Sequence, residues 1–98
     1  MPEVWFEVEW PDGSSNVCYS PSTAVERYFA KGQRYTIRAF LETARPALEQ
    51  ASQRVEAKFG YRCSSADDQL RQIEAIAQRM GLESTGQVTI LYVGRTPP

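Results

Sequence analysis

The chain has 98 residues, a net charge of −1, and 42% hydrophobic and 11% aromatic residues, enough for one small domain with its own core and too aromatic for a disordered segment. The near-neutral balance argues against a nucleic-acid binder, and no apolar run approaches the ~18–20 residues that span a bilayer. There is no histidine, which removes the commonest general base, the commonest metal ligand and every Ser–His or Cys–His pair, so neither a metal nor a cofactor is expected.

Residues 3–10 alternate with period two, as a half-buried strand does, with Val4, Phe6, Val8 and Trp10 on one side and Glu3, Trp5, Glu7 and Glu9 on the other. Pro11-Asp12-Gly13 is a turn: proline presets φ and glycine tolerates a positive one. Residues 15–20 return as a second strand. With Trp10 and Ser14 flanking the turn, Phe6 faces Cys18 on the inner side and Trp5 faces Tyr19 on the outer side.

Ser20-Pro21-Ser22-Thr23 reads as a helix start, with Thr23 and Glu26 at capping-box spacing. Lys31-Gly32 ends that helix and 33–35 connect it onward. Ile37, Phe40, Leu41, Ala44, Leu48, Ala51, Val55 and Phe59 then recur at three- and four-residue steps, predicting an amphipathic helix over 37–59 closed by Gly60. Pro46 falls inside it, so a kink or two abutting helices is expected. Ser65 to Asp68 forms a second capping box and opens a helix through Met80, with Ala66, Leu70, Ile73, Ala77 and Met80 inward and Gly81 as its stop. The last strand, 87–93, is apolar on both faces, the pattern of a central or doubly covered strand.

The expected architecture is therefore α+β in the order β-β-α-α-α-β: a three-stranded antiparallel or mixed sheet with helices packed on one face. Residues 1–94 form the domain and 95–98 a C-terminal tail. The N-terminus shows no basic-then-apolar leader, so a cytoplasmic protein with reduced thiols is expected.

Three places invite a functional reading. Cys63-Ser64-Ser65 stands at a helix N-terminus beside Arg62, where the helix dipole and a cation lower a thiol pKa, making Cys63, Ser64 and Ser65 candidate catalytic residues. The plainer reading is a serine cap with Cys63 packed as a small apolar group. Trp5, Val17 and Tyr19 share the outer side of the hairpin among glutamates. That suits either an interface or a cross-strand pair that only stabilises the hairpin. Tyr19-Ser20-Pro21-Ser22 could hold an anion or simply turn the strand into the helix. Charge is also segregated: residues 1–26 carry five acidic and no basic side chains, and 27–62 carry eight basic and three acidic ones. Internal complementarity and a binding surface both account for that asymmetry.

Several segments together resemble a bacterial family of short nitrogen starvation response proteins. They are the opening Met1-Pro2-Glu3-Val4-Trp5-Phe6, then Trp10-Pro11-Asp12-Gly13-Ser14, Cys18-Tyr19-Ser20-Pro21-Ser22, Ala51-Ser52, Arg54-Val55, Ala57-Lys58, and Cys63-Ser64-Ser65-Ala66 followed by Asp68-Gln69-Leu70. The likeness covers about residues 1–80. It implies a role in nitrogen metabolism under starvation, within a gene cluster that includes a nitrilase, a radical-SAM protein, an acetyltransferase-like protein and a flavoprotein. It assigns no reaction, cofactor or catalytic residue. The expected function is an accessory or binding protein that forms homo-oligomers, in the first place dimers, or meets other proteins of the nitrilase cluster, with neither nucleic acid nor membrane as partner. The alternative is a small enzyme or intermediate carrier using Cys63.

Overall fold

The computed structural model describes residues 2–62 and 64–98. In chain order the elements are β1 (Val4–Glu9), β2 (Ser15–Ser20), a 3-10 helix (Thr23–Arg27), β3 (Arg34–Thr36), α1 (Ile37–Phe59), α2 (Ser64–Met80) and β4 (Gln87–Gly94). The class is α+β. The strands form a four-stranded antiparallel sheet ordered β2-β1-β4-β3, one strand more than expected, and among the described residues two α-helices pack with it where three were expected.

One difference has a local cause and the other a distant one. After Pro21 the chain forms only a five-residue 3-10 helix, a length typical of that tighter helix, before it turns toward β3. Its cap is Ser22, whose hydroxyl accepts the Ala24 N–H at 3.1 Å, not Thr23. The supposed connector becomes β3 because Arg34, Tyr35 and Thr36 pair with Thr89, Val88 and Gln87 of β4. Three residues have no period of their own to reveal that.

The hairpin register agrees with the expectation, Phe6 opposite Cys18 and Trp5 opposite Tyr19. Trp10 accepts from Gly13 N–H at 2.9 Å and donates to Ser14 at 2.7 Å, closing a turn in which Gly13 has φ +88°. Asp12 tightens it by accepting the Ser14 N–H at 3.0 Å and the Ser14 hydroxyl at 2.6 Å. β4 is a central strand, and a register shift opposite Glu7 and Val8 leaves Leu91 as the extra residue of a bulge. The two-sided apolar pattern follows from this. Val88, Ile90 and Val93 reach the core, whereas Tyr92 pairs with Glu7 on the outer side.

The core lies between the sheet and the helices. Phe6 stacks on Phe29 with centroids 5.2 Å apart, Phe29 meets Phe40 at 5.5 Å, and Phe40 meets Trp10 edge-on at 5.5 Å. Such pairs add ~0.5–1.5 kcal/mol each beyond area burial. Trp10 is nearly fully buried, and its indole N–H donates to Asn16 Oδ1 at 2.7 Å, which is why an amide occupies an inward position of β2.

α1 begins on Thr36, whose hydroxyl accepts the Ala39 N–H at 3.1 Å, and ends on Gly60 at φ +81°. Pro46 does not divide it: the helix runs through all 23 residues, with Pro46 exposed on its solvent side. The buried stripe stops at Val55, and Phe59 is half exposed beside Tyr61. α2 buries Ala66, Ile73 and Ala77 against α1 and the edge strand β2. No helix among the described residues is long and apolar enough to cross a membrane.

Candidate functional site

β1 and β2 alternate strictly, so burying Val4, Phe6, Val8 and Cys18 against the helices obliges Trp5, Glu7, Glu9, Val17 and Tyr19 to face the other way. The structure brings the three predicted interface residues together on that face. Trp5 and Tyr19 meet edge-on with centroids 5.7 Å apart, and Val17 beside them is 47% exposed. Tyr92 from β4 lies on the same side, paired with Glu7, and its hydroxyl donates to the Thr96 carbonyl. Tyr92 escaped the sequence reading because the bulge at Leu91 shifts strand parity.

Across the outer face the charge changes sign. Glu7 and Glu9 belong to β1, and Arg34 belongs to β3 at the far edge. Glu9, Thr89 and Arg34 occupy one transverse row. Among the described residues Glu3, Glu7 and Glu9 take part in no ion pair. Of the acidic N-terminal stretch only Glu26 is so engaged, by Arg95 at 3.1 Å, which holds its carboxyl below the usual range. Among the described residues the outward glutamates of the hairpin are therefore not neutralised by ion pairs.

The free edge of β2 is guarded. Tyr19 N–H donates to Gln69 Oε1 at 2.9 Å, a bond from α2 across fifty positions of chain. Gln69 is a residue that sequence reasoning missed; on α2 it reads as one polar residue among several.

Of the candidate catalytic residues, Cys63 lies outside the described residues. Ser64 is the exposed first residue of α2, and Ser65 follows it half buried, one helical turn before Gln69. Arg62, the cation expected to act on the thiol, is occupied. Its guanidinium bonds Glu49 at 2.8 Å and Asp67 at 2.9 Å, and Asp67 also accepts from the buried Ser52 hydroxyl at 3.3 Å. The Arg62 bonds hold the Asp67 carboxyl below its ordinary pKa. This cluster pins the α1–α2 turn. The turn after Tyr19 is likewise closed on itself: Ser20 Oγ donates to the Ser22 carbonyl at 2.8 Å, and both serines are fully buried. It presents no anion site. Among the described residues no group of three or more acidic or thiol side chains could hold a metal.

The family model of the nitrogen starvation-induced protein NitG matches residues 5–93. The chain belongs to this family. Its membership links the protein to nitrogen starvation, and the match extends through β4, beyond the residues that carry the sequence resemblance. No curated protein and no solved structure matches the chain.

Proposed function

We propose that this chain is a non-catalytic binding protein of the nitrogen-starvation response, acting through the outer face of its sheet and pairing there with a second copy of itself. The observation that carries the reading is the Trp5–Tyr19 pair with exposed Val17 alongside, on the side of the hairpin away from the buried core. Apolar aromatic surface of this kind marks interfaces more often than bare monomer surface.

A second copy suits the charge of the face. A two-fold axis parallel to the strands, between β1 and β4, lays β3 of one copy toward the acidic hairpin of the other. Arg34 then stands near the partner copy's Glu9, since both lie in the same transverse row. The same operation carries Trp5 over β4 of the partner copy, in the row of Gly94 beside Tyr92. One symmetry operator thus satisfies the aromatic and the charged ends together.

The competing reading, a small enzyme or carrier acting through Cys63, has less support. The cation it would use, Arg62, already serves two carboxylates, and no other guanidinium stands beside it in the chain.

Sedimentation equilibrium of the wild type and of the double variant Trp5→Ser, Tyr19→Ser tests the proposal. A dimer that becomes a folded monomer is the expected result. A wild type that stays monomeric at high micromolar concentration would overturn it.

A further inference from the structure

We infer that the cleft between the 3-10 helix Thr23–Arg27 and the C-terminal half of α1 is a binding site for a small oxyanion, a phosphate or carboxylate group held by Arg27 and Arg54. The inference is independent of the paired-sheet proposal, because α1 lies on the other side of the sheet.

The cleft has a volume of about 250 Å³ and is lined by Arg27, Gln50, Gln53, Arg54 and Ala57. Positions 50, 53, 54 and 57 share one face of α1 by the helical repeat, so the helix alone brings two amides and a guanidinium to the same wall. The last residue of the 3-10 helix supplies the second guanidinium. Arg54 is half buried and its aim is set: Nη1 donates to Thr23 Oγ1 at 3.2 Å. That bond uses one of five donors and leaves the others for a ligand.

Among the described residues Arg27 and Arg54, like Arg34 and Arg79, have no carboxylate partner, whereas Arg38, Arg45, Arg71 and Arg95 each have one and Arg62 has two; Arg27 and Arg54 are the pair that one cleft brings together. Among the described residues no carboxylate lines the cleft. Glu49, which Gln53 touches at 3.4 Å, is held by Arg62, and Glu26, beside Arg27 in the chain, is held by Arg95. Glu49 and Glu26 are thus engaged from outside the cleft, and Glu56, next to Ala57 in α1, is not among the residues that line it. A planar guanidinium matches the paired oxygens of carboxylate and phosphate, and the charge-assisted bonds it makes are the strong class. Glutamine amides can donate to the same oxygens or accept from a hydroxyl on the ligand.

The test is a titration of the full chain with inorganic phosphate and, separately, with succinate, followed by amide and side-chain NMR shifts, with sodium chloride at matched ionic strength as the reference. Saturable shifts confined to Arg27, Gln50, Gln53, Arg54 and Ala57, with Kd at or below about 1 mM for at least one anion, are expected. Saturation by phosphate alone assigns a phosphoryl ligand, and saturation by succinate alone a carboxylate one. Arg27→Gln should weaken binding at least about tenfold, and Arg79→Gln, outside the cleft, should leave it unchanged. Should Arg54→Gln fail to fold through loss of the Thr23 bond, Arg27→Gln carries the test by itself, since among the described residues Arg27 forms no ion pair. Shifts that rise linearly for both anions, or an Arg27→Gln variant that binds like wild type, would overturn the assignment.

Discussion

Cys18 illustrates how position alone sets the chemistry of a side chain. It sits on the inner face of β2 opposite Phe6, fully buried, and burial pushes its thiol up to about 12 from an ordinary 9.0; the Asn16 amide donating at 3.5 Å opposes this only weakly. In the folded protein at pH 8 iodoacetamide should therefore leave Cys18 unmodified, and denaturant should expose it to rapid labelling; labelling of native Cys18 would refute its placement. The same shift has a sign in stability. Between about 9 and 12 the unfolded chain has lost this proton while the folded one keeps it, so stability falls as pH rises, by about 1.4 kcal/mol per unit at most. Below 9 both states hold the proton and the dependence vanishes. Tyr35, also raised by burial, adds to the alkaline loss. Denaturant titrations of Cys18→Ala at pH 8 and 10.5 should show a smaller decline between the two than wild type.

At the scale of elements, two features of the helices make opposite predictions. Pro46 stands on the exposed side of α1, where it deprives the Glu42 carbonyl of its helical partner without contributing to the core. Pro46→Ala restores that bond and a better helix former, offset in part by a more flexible unfolded chain. A gain of about 1–2 kcal/mol in urea unfolding is expected; a loss would mean that the proline shapes the packing of α1. Gln69 acts in the other direction. Its amide oxygen satisfies the outward N–H of Tyr19 and covers the open edge of the sheet. Gln69→Ala should cost about 1 kcal/mol and speed hydrogen exchange at Tyr19 selectively. Unchanged exchange there would show that the edge is protected by something else.

Over the whole molecule, the proposed pairing of two copies rests on the charge pattern of the outer face. Among the described residues Glu3, Glu7 and Glu9 form no ion pair, and neither does Arg34 at the opposite edge of the sheet. If a two-fold axis joins them, Arg34→Glu should weaken self-association by placing like charges together, and adding Glu9→Arg to the same chain should restore it. Sedimentation of the three proteins at low salt reads this directly. Equal association of Arg34→Glu and wild type would rule out this symmetry even if the aromatic face does pair.

The hairpin, both α-helices and their stops were legible in the sequence because each depends on near neighbours. Alternation and Pro11-Asp12-Gly13 set the register that joins Trp5 to Tyr19, and the helical period with Gly60 and Gly81 marks where α1 and α2 end. By parity alone, the same pattern placed Trp5, Val17 and Tyr19 on one face. What only the tertiary structure decided depends on partners far along the chain. Arg34–Thr36 is a strand because β4 lies beside it, and Tyr92 faces outward because a bulge at Leu91 offsets the alternation. Arg62 serves Glu49 and Asp67 because the α1–α2 turn brings them together, and Gln69 guards β2 because α2 packs along that edge. Arg27 and Arg54 share a cleft because the short 3-10 helix lies against α1. A local pattern records the conformation of a segment; it holds no record of which distant segment will supply a hydrogen bond or a charge.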